Sequence, residues 1–335
     1  MAKRHLCEIE EKLSFVPAGK LFFEKHVSKY NTPFYLEEVT SQSAGKGFLE
    51  TWTIFPGVEL THSLYCASQY SFQHASHSSI MQINHCRFGR IGWEMHDGIH
   101  IYLGPGNLSL HTLDICTESV MNFPLKCYEG IAITVDFKML EQNLPEVLRD
   151  ANIHGEPFCG KFCGQKGYTA IATSPQVNRI FSELYTLPTH MQIPYFKLKV
   201  QELLLFLSML EPEKEKELDH FYSQQIEAIQ AMHCLMTEHL EHRYTITELS
   251  KQYLMNTTTL KTIFKSVYGA PIATYMKEYR IRQAAQLLQD TTYSIAEIAE
   301  RVGYENQSKF TSAFRSVLHL PPAAYRKLNA AEHSR

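Results

Sequence analysis

Two short segments near the end of the chain carry polar side chains of the kinds that contact nucleic acids. Glutamine, lysine and arginine form hydrogen bonds with base edges or phosphates, and serine and threonine hydroxyls contact either. Neither segment contains aspartate or glutamate. The candidate DNA-contacting residues are Thr258, Thr259, Lys261, Thr262 and Lys265 in the first segment and Gln307, Ser308, Lys309, Thr311, Ser312 and Arg315 in the second.

The two segments belong to a repeat, in which residues 246–267 and 295–317 match at an offset of about 50 positions. In each, apolar residues recur at i, i+3, i+4 and i+7, which predicts a helix that buries one stripe and exposes the opposite face. Asn256 and Asn306 can cap these helices, and Gly303 suits a tight turn. The stripes are Leu260, Ile263, Phe264 and Val267, and Phe310, Ala313, Phe314 and Val317.

A short helix, a turn and a capped second helix predict a helix-turn-helix unit, whose second helix enters the major groove of DNA. Residues 272–290 predict a long helix that joins the two units at a fixed spacing. Two such second helices about 34–36 Å apart would meet successive major grooves on one face of a duplex. A single unit also occurs as a protein-interaction or packing module, and the tandem arrangement favours DNA binding.

The last third of the chain also carries apolar, basic and glycine landmarks at fixed spacings. They are Leu260, Phe264, Lys265, Gly269, Tyr275, Arg280, Ala284, Leu287, Leu288, Ile298, Ala299, Gly303, Ser308, Phe310, Phe314, Pro322, Tyr325 and Arg326. In these residues, the segment from about 222 to 328 resembles the DNA-binding domain of the AraC/XylS family of bacterial transcription regulators. Ser250, Tyr304 and His319 depart from the family's usual Ala, Phe and Gly.

This resemblance implies specific partners and contacts. Double-stranded promoter DNA and RNA polymerase are the expected macromolecular partners. The family's base-contacting positions fall on Thr258, Thr259, Lys261 and Thr262 and on Gln307, Ser308, Lys309 and Ser312. Family members often carry an N-terminal sensor domain, a cupin-like β-barrel followed by helices that dimerise, so a small-molecule effector and a homodimer are also expected.

The first half of the chain has a strand-rich pattern consistent with such a domain. Strands are predicted at 46–55, 58–66, 79–88, 90–95, 99–104, 107–113 and 130–137, separated by Gly and Pro turns. From the strands alone, a β-sandwich and a barrel are both open. Helices are predicted at 138–150, 174–187 and 195–210. The last is strongly apolar, which suits either a dimer contact or packing within its own chain.

The predicted fold class is therefore a two-domain protein. A cupin-like β-barrel with following helices is expected to precede an all-α domain with two helix-turn-helix units joined by a long helix. The predicted limits are 1–210 for the effector-sensing and dimerisation domain, 211–221 for a linker and 222–335 for the DNA-binding domain. The charge run at 211–219 suits a solvated linker or, alternatively, an acidic interaction tail.

Aromatic residues with a few polar neighbours on these strands could form a small-molecule site at a barrel mouth. The walls are predicted from Trp52, Tyr65, Phe88, Trp93 and Tyr102, and the orienting groups from Arg87, Arg90 and Glu94. The alternative for each residue is an aromatic core position or a charge facing solvent.

Histidines at 74, 77, 85, 96, 100 and 111 lack the His-x-His pair of metal cupins, so no metal is expected. Cys159 and Cys163 have loose spacing for zinc and lack a second pair. No catalytic motif appears, which predicts a non-enzyme without a cofactor. The alternative is a cupin-type enzyme or carrier with a helical interaction domain.

Composition places the chain among ordinary globular proteins. It has 335 residues, a net charge of −3 and eight cysteines. Residues 222–335 carry a net charge of +3 and residues 1–221 a net charge of −6, a weak indication of nucleic-acid binding at the C-terminal end. No apolar run is long enough for a membrane helix and no secretory signal opens the chain, so a cytoplasmic protein with reduced thiols and no membrane contact is expected.

Overall fold

The computed structural model describes residues 2–26, 45–73, 76–95, 98–115, 118–164, 166–172 and 174–332. The chain divides into two compact units, Met1–Ser223 and Gln224–Arg335. Residues of the predicted linker contact the first unit, because the Leu218 amide donates to the Ala170 carbonyl and Pro212 is buried. Two of the histidines considered as metal ligands, His74 and His96, lie outside the described residues.

The first unit contains a seven-stranded sheet. In spatial order its strands are β1 (Leu21–His26), β2 (Lys46–Phe55), β3 (Val58–Cys66), β10 (Tyr128–Asp136), β5 (Ile80–Gly89), β8 (Leu108–Thr112) and β11 (Tyr168–Ile171). β1 pairs with β2 in parallel, and the remaining neighbours are antiparallel. The predicted strands at 46–55 and 58–66 have the observed bounds of β2 and β3.

A second, five-stranded sheet is antiparallel throughout. Its order is β12 (His220–Tyr222), β7 (Ile99–Leu103), β6 (Ile91–Met95), β9 (Glu118–Asn122) and β4 (Gln69–Gln73). The two sheets face each other across a buried cluster that includes Tyr65 and Tyr128 of the first sheet and Trp93 and Ile101 of the second. Neither sheet closes on itself, so the predicted cupin-like barrel is corrected to a two-sheet sandwich.

Helices cover the other face of the seven-stranded sheet. The first-unit helices are α1 (Ala2–Lys12), α2 (Phe137–Gln142), α3 (Glu146–Asp150), α4 (Gly155–Cys163), α5 (Pro175–Leu184) and α6 (Gln192–Met209). Strand alternation explains the two-sided packing: Trp52 and Leu60 point toward helices α4, α5 and α6, whereas Leu49 and Tyr65 point toward the second sheet. The first unit therefore has three layers, helices on sheet on sheet.

Helix α6 has one buried face and one exposed face. Phe196, Val200 and Leu203 are among its residues that pack into the core of its own chain. On the opposite face, Leu198 is 63% exposed and Met209 is 75% exposed. Packing within the chain thus accounts for the apolar stripe of this helix, and the exposed leucine and methionine account for its excess hydrophobicity.

The second unit is helical, so the expected order of a sheet-rich region followed by a helical domain is confirmed. Its helices are α7 (Ser223–Glu238, whose first residue belongs to the first unit), α8 (Ile246–Gln252), α9 (Thr257–Tyr268), α10 (Ile272–Asp290), α11 (Ile295–Arg301), α12 (Gln307–Leu318) and α13 (Pro322–Glu332). Within the described residues, no helix combines the length and the apolar character needed to cross a lipid bilayer.

Candidate nucleic-acid interface

The first helix-turn-helix unit consists of α8, a short turn and α9. Thr245 and Glu248 form a reciprocal capping box at the start of α8, and the side chain of Asn256 accepts a hydrogen bond of 2.9 Å from the Thr259 amide at the start of α9. Leu260 and Phe264 are fully buried on one side of α9. Because that side is buried, the polar side chains of α9 lie on its outer face.

The second unit repeats this construction in α11 and α12. Ser294 and Glu297 form the capping box of α11, and the Asn306 side chain accepts a 2.9 Å hydrogen bond from the Lys309 amide. Phe310 and Phe314 of α12 are fully buried. The predicted repeat is therefore present in both sequence and structure, including the asparagine cap of each second helix.

The candidate DNA-contacting residues lie on the outer faces of α9 and α12. Thr259 and Thr311 are half-buried. The Thr259 hydroxyl accepts a hydrogen bond of 2.8 Å from the side-chain nitrogen Nδ2 of Asn256. The remaining candidates are exposed: Thr258, Lys261, Thr262, Lys265, Gln307, Ser308, Lys309, Ser312 and Arg315. Most of the predicted contact residues are therefore accessible to a ligand as large as duplex DNA.

The charge of these two faces is not cancelled by neighbouring carboxylates. Among the residues that the structure describes, Lys261, Lys265, Lys309 and Arg315 form no ion pair. The carboxylate of Glu248 is instead engaged at the start of α8. A hydrogen bond from the Thr245 amide lowers the pKa of Glu248, which keeps this carboxylate ionised at the helix start. The cations of both outer faces thus remain available to phosphates.

Two further residues belong to this surface that the sequence analysis did not select. Ser316 lines a shallow groove along α12 together with Gln307, Thr311 and Arg315. Lys277 of α10 lines an adjoining groove together with Ser308 and Lys309. Ser316 follows Ser312 by four residues, so helical spacing could have found it, whereas Lys277 comes from a different helix and only the fold places it here.

Helix α10 connects the two units and packs against α9, α11, α12 and α13. Its 19 residues give a length of about 28 Å at the α-helical rise. Arg280 in its middle is buried, and its guanidinium donates a 2.8 Å hydrogen bond to the His242 carbonyl. Next to α9, the Tyr275 hydroxyl lies 2.9 Å from Nε2 of His233, and that imidazole stacks on Tyr268. Buried and half-buried polar contacts therefore fix the connector within the second unit.

The positions that depart from the AraC/XylS pattern fit local structure. The Ser250 hydroxyl donates to the Met255 carbonyl at 2.7 Å across the turn of the first helix-turn-helix unit. Tyr304 lies edge-on against Phe310 in the core of the second unit. His319 ends α12 with a φ of 61°, and Gly269 ends α9 with a φ of 81°. The histidine thus adopts the left-handed conformation for which glycine is the ordinary choice.

The candidate effector residues do not form one shared wall in the first unit. Trp52 packs on Phe196 of α6 in the helix-facing core, whereas Tyr65 and Trp93 lie between the two sheets. Tyr102 is also buried, and burial raises the pKa of its hydroxyl. The predicted barrel mouth placed these aromatics together, but strands β2 and β3 direct Trp52 and Tyr65 to opposite faces of the sheet.

The polar effector candidates are likewise separated. Arg87 donates hydrogen bonds of 3.2 and 3.3 Å to the buried carboxylate of Glu129, beside the half-buried Phe88. Burial lowers the pKa of Arg90, whose guanidinium packs against Gly104. Glu94 is exposed and accepts a hydrogen bond of 3.3 Å from the Ser223 hydroxyl. Arg87 and Glu94 therefore already form hydrogen bonds within the first unit, and Arg90 is already packed against the backbone.

Of the candidate histidines that the structure describes, His85 and His111 pack against aromatic side chains. His85 stacks on Phe181, and burial lowers its pKa to about 4. His111 packs against Trp93, and His100 lies 3.2 Å from the Ser223 hydroxyl. His77 is exposed. Among the residues that the structure describes, one cluster brings three possible metal ligands within 4.8 Å of one another. They are Glu24, His26 and Glu50, on the neighbouring strands β1 and β2.

Comparisons with known proteins identify the helical region. Residues 249–328 match the helix-turn-helix domain family. The regulator ExsA of Pseudomonas aeruginosa is 29% identical over 164 residues, or 48% of this chain and 58% of that protein. The regulator AlkR of Acinetobacter baylyi is 34% identical over 88 residues, or 26% of this chain and 28% of that protein. The chain thus aligns with less than two thirds of the length of each of these relatives.

Among solved structures, the DNA-binding domain of AdpA in complex with a target DNA is similar over 32% of this chain and 97% of that chain. Its sequence identity is 27% and its TM-score is 0.31. The family match and the capped repeat define the second unit as a tandem helix-turn-helix domain. A putative AraC-like transcription regulator of Streptomyces lividans is 34% identical over 84 residues, or 25% of this chain and 28% of that protein, which confirms the resemblance of this segment to the AraC/XylS DNA-binding domain.

Proposed function

We propose that this protein is a sequence-specific DNA-binding transcriptional regulator whose helices α9 and α12 contact promoter DNA. The observation that carries the proposal is the pair of exposed, carboxylate-free helix faces, each placed by its own capped helix-turn-helix unit. The relatives ExsA and AlkR, which are HTH-type transcriptional regulators, support the same function. The proposed contacts remain the candidate residues of the two faces.

The first unit is proposed to bind a small-molecule effector and to form a homodimer. The exposed Leu198 and Met209 on the outer face of α6 support a dimer contact there. RNA polymerase is the proposed further partner, the cytoplasm is the proposed location, and neither catalysis nor a cofactor is part of the proposal. The limits 1–210, 211–221 and 222–335 are the proposed functional division.

The test begins by selecting duplexes from a random library with the full-length protein. Affinity for the selected duplex and for a scrambled duplex is then measured by fluorescence anisotropy at several salt concentrations, because phosphate contacts alone make binding salt-dependent without making it specific. We expect the selected duplex to bind more tightly at every salt concentration. Equal affinity for both duplexes would refute sequence-specific recognition.

Two variants separate base contacts from phosphate contacts. Gln307→Ala should lower the ratio of specific to scrambled affinity by about 5- to 150-fold if the amide reads a base through two hydrogen bonds. Lys265→Ala should weaken both duplexes equally and make the log–log salt slope shallower by about 1. Gln286→Ala, an exposed change on α10, is the matched control and should leave both affinities unchanged. Equal losses on both duplexes for Gln307→Ala would contradict direct readout.

A further inference from the structure

Helix α1 covers a pair of cysteines on the outer face of the seven-stranded sheet. Tyr65 of β3 is the register partner of Tyr128, the first residue of β10. Cys66 is the last residue of β3 and Cys127 immediately precedes β10, so the two cysteines adjoin this register pair. Both cysteines belong to the cluster formed with Ile9 of α1. The two thiols hydrogen-bond to each other, so their sulfur atoms are near enough for a disulfide to form with little backbone movement.

The environment of the two thiols differs in a way that suits a reaction between them. Both cysteines are free; Cys66 is partly exposed and Cys127 is buried. A hydrogen bond with Cys127 lowers the pKa of the Cys66 thiol, assisted by the charge of Lys46, whereas burial and Glu10 act in the opposite direction. The same hydrogen bond and burial raise the pKa of Cys127. The partly exposed cysteine, Cys66, is therefore the one more readily ionised, and the thiolate is the reactive form of a cysteine.

The other cysteines lack this combination. Cys159 and Cys163 lie four residues apart on α4, and burial raises the pKa of Cys159 to about 11 and of Cys163 to about 12. Cys86 is buried, and burial raises its pKa as well. Cys7 and Cys234 are exposed, and their sequence positions place them on α1 and α7. Of the described cysteines, Cys66 and Cys127 combine a hydrogen bond between their thiols with positions in one cluster beneath α1.

We propose that Cys66 and Cys127 form a reversible redox-modification site whose substrate is a peroxide. The Cys66 thiolate attacks one peroxide oxygen; the O–O bond breaks, and the released hydroxide takes up a proton and leaves as water. The Cys127 thiol then loses its proton as its sulfur attacks the Cys66 sulfenic acid, and the hydroxyl leaves with that proton as a second water. Two electrons pass from the thiols to the peroxide, and a low-molecular-weight dithiol returns them.

The test uses the full-length reduced protein and one equivalent of hydrogen peroxide. Free thiols are then blocked, and peptides are mapped by mass spectrometry without reduction. We expect two of the eight thiols to be lost in a linked peptide pair that contains Cys66 and Cys127, and dithiothreitol to restore both. Oxidation confined to other cysteines, or irreversible oxidation at Cys66 without a linked pair, would overturn the proposal.

Two variants assign the roles of the sulfurs. Cys127→Ser should leave a sulfenic acid at Cys66 that a cyclic diketone probe labels, and Cys66→Ser should abolish the peroxide-dependent link. Cys159→Ser is the matched control and should form the link as the wild type does. The wild-type peptide map decides the question even if a variant fails to fold. Because the readout is a covalent bond, its result is independent of the proposed DNA binding.

Discussion

Gly303 occupies the turn between α11 and α12, where a side chain would collide with the backbone. Its φ is +76°, and a Cβ atom built on it would lie 2.3 Å from the Leu240 carbonyl oxygen and 3.0 Å from a guanidinium nitrogen of Arg280. Left-handed backbone costs a non-glycine residue about 1–2 kcal/mol. Because the closest atom belongs to the backbone, the turn must also move, so we expect Gly303→Ala to lower the free energy of unfolding by about 3 kcal/mol.

The equivalent turn of the first helix-turn-helix unit, between α8 and α9, predicts a gain in the free energy of unfolding instead of a loss. Leu254 stands at the matching position with a φ of +50° and is 95% exposed, so its side chain contributes almost no core packing. Leu254→Gly removes strain of about 1–2 kcal/mol and adds about 0.5–1 kcal/mol of chain entropy lost on folding. We therefore expect the second unit to gain roughly 0.5 kcal/mol of stability.

Urea unfolding of the full-length protein with two probes tests both changes. Trp52 and Trp93 are the two tryptophans of the chain and both lie in the first unit, so their fluorescence follows that unit. Far-UV circular dichroism also follows the helical second unit. Gly303→Ala should shift the dichroism transition of the second unit and leave the fluorescence transition unchanged. Gly160→Ala on α4 is the control and should not destabilise, because an added Cβ there would meet no atom within 4 Å. A loss below about 1 kcal/mol for Gly303→Ala would refute this reasoning.

For two further sites, the helix caps and Glu129, the structure predicts how a substitution changes stability. Asn256→Ala and Asn306→Ala should each lower the stability of the second unit by about 1 kcal/mol, because each removes a helix cap, and Asp at either position should restore it in urea titrations. Burial opposes ionisation of Glu129, but hydrogen bonding to His62 and the charges of His62, Arg87 and Lys12 lower its pKa from 4.5 to about 2. This difference corresponds to about 3 kcal/mol, fully present above pH 4.5 and lost as the pH falls toward 2. Glu129→Gln should remove that dependence from fluorescence-detected unfolding; an unchanged acid profile would exclude this ion cluster as its source.

The second unit could be predicted closely because its signals are local. Asn256 and Asn306 precede their helices directly, and the apolar stripes follow the helical period within a dozen residues. The same locality explains the strands 46–55 and 58–66, which are joined by a two-residue turn. Where a helix or a hairpin specifies itself, the sequence is enough to predict which side chains remain exposed.

The first unit could be predicted less well because its contacts are long-range. β10 pairs with both β3 and β5, and no local pattern states that β1 and β11 end at opposite edges of an open sheet. The short strand β9 lacks the alternating pattern that reveals longer strands. The effector candidates depended on a closed barrel and therefore lost their common wall when the sheets proved to be separate.

The Glu129 cluster shows the same limit at a single residue. His5 from α1, His62 from β3 and Arg87 from β5 converge on one buried carboxylate, with Nε2 of His5 at 2.6 Å and Nε2 of His62 at 2.9 Å. These residues are far apart in sequence and have no shared spacing. Only the strand order, which places β10 between β3 and β5, makes the cluster evident.

The charge distribution explains how a chain with a net charge of −3 can present a surface suited to DNA. Screening restricts each exposed charge to about 8–10 Å, so the local face matters more than the total. In the second unit, Glu248 and Glu297 bind the starts of α8 and α11, and Glu278 pairs with Arg282 at 3.4 Å. These carboxylates serve helix stability away from the outer faces of α9 and α12. The chain can therefore be acidic overall while both recognition faces remain free of carboxylates.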